Sequence, residues 1–179
     1  ELSENALMWM AGLASTLFVF SHLLLSSGRV RPRLIEALGE KGFMGFYSVV
    51  ALGTLIWAWM AWETAPYVEL WPAAAWTRWV PNIGMPIVCI LVLAGYTTPS
   101  PTVAGEADTL DNKDVAQGIL RVTRHPANMG FTFWGLLHLF PNGDLATVFL
   151  IFAFSGLGIL GTWHIEARRN ASHGAAWQA

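Results

Sequence analysis

"ALMWMAGLASTLFVFSHLLLSS", Ala6 to Ser27, runs for twenty-two residues without an Asp, Glu, Lys or Arg. As a helix it measures about 33 Å at 1.5 Å per residue, enough to cross a hydrocarbon core of about 30 Å. Glu1 and Glu4 precede it and Arg29, Arg31 and Arg33 follow. That is the reverse of the basic start of a cleaved leader, so the stretch is expected to stay as a span. Four further uncharged stretches lie downstream: Gly42–Trp62, Val80–Thr97, Pro126–Phe140 and Leu145–Ile165. The fourth is short, with an apolar part of about fourteen residues. It is expected to start deep in the bilayer or to be extended by an interfacial turn over Val115–His125. The predicted fold is an all-α integral membrane protein, a bundle of five transmembrane helices forming a single domain over residues 1–179.

The composition agrees. Hydrophobic residues make up 54% of the chain and charged residues 12%, half the charged share of an ordinary soluble domain, about 25%. A net charge of −2 without a basic patch excludes nucleic acid as a partner. Nine of the ten Lys and Arg residues fall on one side of a five-span arrangement, with Arg78 alone opposite. The positive-inside rule then places the N-terminus in the periplasm and the C-terminus in the cytoplasm of a bacterial inner membrane. Trp57, Trp59, Trp62, Trp71, Trp76 and Trp79 form the expected outer aromatic belt. "FPNGDL", Phe140–Leu145, reads as a tight outer turn. Thr98–Gln117 reads as a solvated inner loop, and "SGLGILG", Ser155–Gly161, as close helix packing.

A single cysteine, Cys89, rules out an internal disulfide, a Cys-based zinc site and a thiolate-held iron–sulfur cluster. Histidine is left as the natural metal ligand. Of the five histidines, His22, His125, His138 and His164 fall in or beside a span. An ionisable group there costs about 2.5–3.5 kcal/mol at the helix centre, somewhat less for neutral imidazole, and is by default a functional candidate. The plain structural role for one such ring is a hydrogen bond to a neighbouring helix, for about 1–2 kcal/mol or less. His22 shares a helical face with Ser15, Ser26 and Ala11; His138 shares one with Trp134, Phe131 and Gly135. Two imidazoles on separate helices, beside aromatic walls and a glycine notch, suit a haem iron. Zinc or copper would bring a third protein ligand. Straight helices separate His22 from His138 by roughly 10–15 Å along the membrane normal, so by depth His164 matches His22 better. Both pairs stay open on spacing alone. "TRHPANMG" adds His125 before a first-turn proline, with Arg124 either anchored in the interface or facing an acidic cofactor group. Arg29, Arg121 and Arg124 are candidate partners for haem propionates.

Three stretches together, "FVFSHLLLSSGRVR", "LGEKGFMGFYSVVALGTLIWAWMAW" and "GILRVTRHPANMGFTFWGLLHLFPNGD", resemble the NnrU family of bacterial inner-membrane proteins. More distantly, they resemble the 15-cis-zeta-carotene isomerase of plants and cyanobacteria. The likeness covers nearly the whole chain. It implies haem b as the cofactor, with His22 and His138 as its ligands, because relatives do not usually carry histidine at position 164. It also implies a link to denitrification and nitrogen-oxide metabolism, with nitric oxide or a hydrophobic polyene as ligand and, as an alternative, cis-trans isomerisation of the carotene. The isomerase carries an N-terminal region that is missing here. The tail "HIEARRNASHGAAWQA" is similar to the start of a family motif that runs past Ala179. It also resembles the ends of membrane methyltransferases that bind S-adenosylmethionine at the inner face. In that case Arg124, His125 and Glu166 are the cofactor-site candidates and His138 is a packing residue.

Overall fold

The computed structural model describes residues 2–100 and 118–174. Five helices account for most of them: α1 Glu4–Leu25, α2 Val30–Thr64, α3 Trp79–Thr97, α4 Pro126–Leu139 and α5 Leu145–His173. Short 3-10 turns at Ala75–Arg78 and Gly118–Arg121 lead into α3 and towards α4. Four stretches, Glu4–Leu25, Val30–Thr64, Ala75–Thr97 and Leu145–Ala171, are long and apolar enough to cross a membrane. α4, with 14 residues, spans only about 21 Å at 1.5 Å per residue. Side chains such as Val49, Leu52, Ile83, Ile87 and Leu93 are exposed on the outer surfaces of α2 and α3. An apolar outer surface of this kind is suited to lipid.

Local chemistry explains the helix ends. Ser3 caps α1 by accepting from the Ala6 amide at 3.3 Å, and Asp144 caps α5 by accepting from Thr147 at 2.9 Å. Asp144→Ala is expected to lower stability by about 1 kcal/mol, seen as a modest drop in melting temperature in detergent. The expected second span began at Gly42, but helix begins at Val30 and bends at Gly39, where φ is 72°. Only glycine takes that conformation cheaply, so an amphipathic first segment joins the span through a hinge. At the other end of the chain, α5 runs past Ile165 and carries Glu166, Arg168 and Arg169 on the helix itself.

The helices form an arc rather than a closed ring. α1 packs on α2 and α5, α5 on α4, and α4 on α3. Ala11, Ala14, Ala58, Ala61, Ala146 and Leu150 form the seam between α1, α2 and α5. Trp62 Nε1 donates to Thr147 Oγ1 at 2.8 Å across it. Two connections meet at one end of the bundle. The Leu70 amide donates to the Gly143 carbonyl at 2.7 Å, and the Leu145 amide to the Val68 carbonyl at 2.9 Å. A Cβ at Gly143 would run into the Trp71 carbonyl, which is why the "PNG" turn needs its glycine. Because these connections share an end, α1 runs parallel to α5, and α2 to α4. The inner loop expected over Thr98–Gln117, with Lys113, falls largely outside the described residues.

Candidate functional site

His22 and His138 are held by the same local device. The Nδ1 of His22 lies 2.7 Å from the Phe18 carbonyl, and that of His138 lies 2.6 Å from the Trp134 carbonyl. A carbonyl only accepts, so Nδ1 carries the proton in each ring. A neutral imidazole then presents Nε2 as its lone-pair nitrogen. Hydrogen bonding of one ring nitrogen to a backbone carbonyl is how a protein orients an imidazole whose other nitrogen binds a metal.

His22 and His138 are connected through a series of ring contacts. His22 contacts Phe18 (centroids 4.5 Å apart), Phe18 contacts Phe154 (5.4 Å), Phe154 contacts Trp134 (5.3 Å) and Trp134 contacts His138 (4.7 Å). Three aromatic rings therefore link the two histidines. His22 is one turn beyond Phe18 and His138 one turn beyond Trp134. Since α1 and α4 are antiparallel, these turns lead in opposite directions, a separation of about 11 Å along the bundle.

A cavity of approximately 770 Å³ opens between α1, α2, α4 and α5, with Tyr96 of α3 at its rim. Both His22 and His164 line it, whereas His138 and Trp134 do not. Phe18, Phe43, Tyr47, Phe131 and Phe154 supply aromatic surface. Tyr47 meets the His22 ring edge-on at 5.5 Å. The Nε2 of His164 is buried and has no hydrogen-bond partner, a costly state for a polar atom in an apolar setting. Arg168, one turn beyond His164, donates from Nη1 to the Ser26 carbonyl at 3.1 Å, one turn beyond His22. Arg31, Arg168 and Arg169 line the cavity at this end. Among the described residues, no three His, Cys, Asp or Glu side chains gather into a group able to hold a bare metal ion.

The other candidates lie elsewhere. His125 caps the start of α4 and is buried, at 8% exposure. Its Nε2 is 2.6 Å from Glu166 Oε1, and its Nδ1 has no partner. The Arg-His-Pro element and Glu166 are thus brought together across 41 residues. Arg29 stands at the start of α2; neither it nor Arg121 nor Arg124 lines the cavity. Sequence reasoning passed over Tyr47 and the cavity roles of Arg31, Arg168 and Arg169. One signal was available, because Arg168 follows His164 by four residues and so shares its helical face.

No curated protein and no solved structure matches the chain. One family model, described as NnrU protein, matches residues 10–179, nearly the whole chain, including the spans, the Arg-His-Pro element and both ends of the cavity. The chain belongs to the NnrU family.

Proposed function

We propose that this NnrU-family chain is a multi-pass protein of the bacterial inner membrane that would hold haem b in the cavity, with His22 as one of its ligands. The observation that carries the reading is a lone-pair imidazole nitrogen placed beside an aromatic-walled space. Nε2 of His22 is set as acceptor by the Phe18 carbonyl, and His22 and His164 both line the cavity. The volume falls within the range of about 300–1,000 Å³ typical of small-molecule and cofactor sites. The geometry favours His164 as the second ligand. The family likeness favours His138, which does not line the cavity.

In this reading the chain crosses five times, N-terminus in the periplasm. Support for the fifth crossing comes from α4, which is packed between α3 and α5 although short. When bound, haem b would supply one-electron transfer or a site for nitric oxide. Phe18 fixes the tautomer of His22 through its backbone. Phe43, Tyr47, Phe131 and Phe154 exclude water, which raises the cost of charge at the centre and so tunes its potential.

Absorption spectra of detergent-purified protein, oxidised and dithionite-reduced, test the reading. A low-spin b-type spectrum is expected, and protein that neither carries nor takes up haem would reject it. Isomerisation is the catalytic form of the same proposal; unchanged isomer ratios of 9,15,9'-tri-cis-zeta-carotene with reduced protein would discard it. The contact between His125 and Glu166 favours a second reading, an inner-face methyltransferase. That reading requires binding of S-adenosylmethionine by colourless protein.

A further inference from the structure

The cavity is open along one side of the bundle. Among the described residues α2 packs on α1 and α5, and α3 packs on α4, so the arc of helices has α2 at one tip and α3 at the other. Glu40, Phe43, Met44, Tyr47 and Ser48 all line the cavity, a spacing that sets them along one face of α2. Phe43 is buried and Tyr47 half-buried, whereas Met44 and Ser48 are exposed. At the other tip of the arc, Tyr96 of α3 and Phe131 of α4 also line the cavity, and they are 65% and 36% exposed. Residues on both tips thus touch the cavity and the outer surface at once. They mark a mouth between α2 and the α3–α4 pair.

The surroundings of this mouth are apolar. No Asp, Glu, Lys or Arg occurs from Gly42 to Trp62 on α2 or from Trp79 to Thr97 on α3. Val49, next to Ser48, and Leu93, three residues before Tyr96, are both well exposed. The hinge at Gly39 ends the amphipathic segment of α2; Met44 and Ser48 lie about 7 and 14 Å beyond it at 1.5 Å per residue. The mouth therefore opens towards hydrocarbon, past the interfacial segment. An ion finds no favourable path through such an opening.

We propose that the cavity is loaded sideways, through the gap between α2 and the α3–α4 pair, by a ligand dissolved in the bilayer. Met44, Ser48, Tyr96 and Phe131 form the portal. A ligand that takes this route partitions into lipid before it binds, so it is a mostly apolar molecule whose supply is set by the membrane. Portal residues govern how fast it exchanges, while the deeper walls govern how tightly it is held. The inference rests on the haem reading for its probe.

Haem-depleted protein reconstituted into liposomes, with haem b dimethyl ester dissolved in the bilayer, tests the route, because the ester lacks a charged edge and stays in lipid. Wild-type protein is expected to take up the ester, read as a change in the haem absorption spectrum. Ser48→Trp narrows the mouth and should slow uptake and release alike by about tenfold. Its occupancy at equilibrium should match the wild type, which also shows that the variant is folded. Tyr96→Ala clears the mouth and should exchange at least as fast as the wild type. An unaltered uptake rate in Ser48→Trp would overturn the inference. So would a lower equilibrium occupancy, since Ser48 would then belong to the binding wall, or slower uptake in Tyr96→Ala. Wild-type protein that takes up haem b from water but no ester from the bilayer would overturn it and leave the haem reading standing. If it takes up neither, the haem reading fails and the inference falls with it.

Discussion

His22→Ala protein is expected to lose the low-spin b-type spectrum altogether, and His164→Ala to lose it with conversion of residual haem to a five-coordinate, high-spin form. His138→Ala should keep it. The magnitude follows from the hierarchy of metal sites. Removing a group that merely orients a ligand costs about 10–100-fold in metal affinity, so removing the ligand itself should exceed about a hundredfold. The asymmetry between His164 and His138 comes from placement. Of the two, only His164 lines the cavity with His22. His138 is connected to His22 only through Trp134, Phe154 and Phe18 in the ring contacts described. If His138→Ala bleaches the protein and His164→Ala leaves the spectrum intact, the ligand pair is that implied by family likeness. The ring order around Phe154 must then differ in the loaded protein. Spectra of the three variants at equal protein concentration decide between the two.

Much of this architecture was legible because membrane spans announce themselves by length and lack of charge. α1 and α5 begin within two residues of the uncharged stretches that foretold them. The hinge at Gly39 was not legible, since a glycine within a helical pattern is ambiguous until its φ is known. Depth arithmetic set His22 and His138 apart, because rise per residue is nearly invariant. Convergence of Arg31 with Arg168 and Arg169 could not be read. It depends on the start of α2 lying against the end of α5, a tertiary fact that no local pattern encodes. His125 and Glu166 were placed together only through their likeness to methyltransferase ends, and the bond between them agrees with that grouping.

Gly135→Ala is expected to damage the packing of α4 on α5, although in isolation it should favour a helix. A Cβ at Gly135 would collide with Ser155 Oγ and press on the Ile151 side chain and carbonyl of α5. Ser155 is 3% exposed and donates to the Thr132 carbonyl at 3.4 Å, so it has nowhere to retreat. The helices must therefore separate along their length. Overpacking of a tight core costs about 1–3 kcal/mol, and close approach of backbones is itself the main attraction between helices surrounded by lipid. The damage should reach the cavity, because α4 brings Phe131 to its wall and α5 brings His164. At Gly156, the residue after Ser155, a methyl group would meet nothing within 4 Å. Gly156→Ala is consequently expected to be neutral or stabilising by up to about 1 kcal/mol through helix propensity. Thermal unfolding of the two variants in the same detergent separates packing from propensity. A melting temperature for Gly135→Ala equal to that of Gly156→Ala would mean that α4 and α5 do not meet at this glycine.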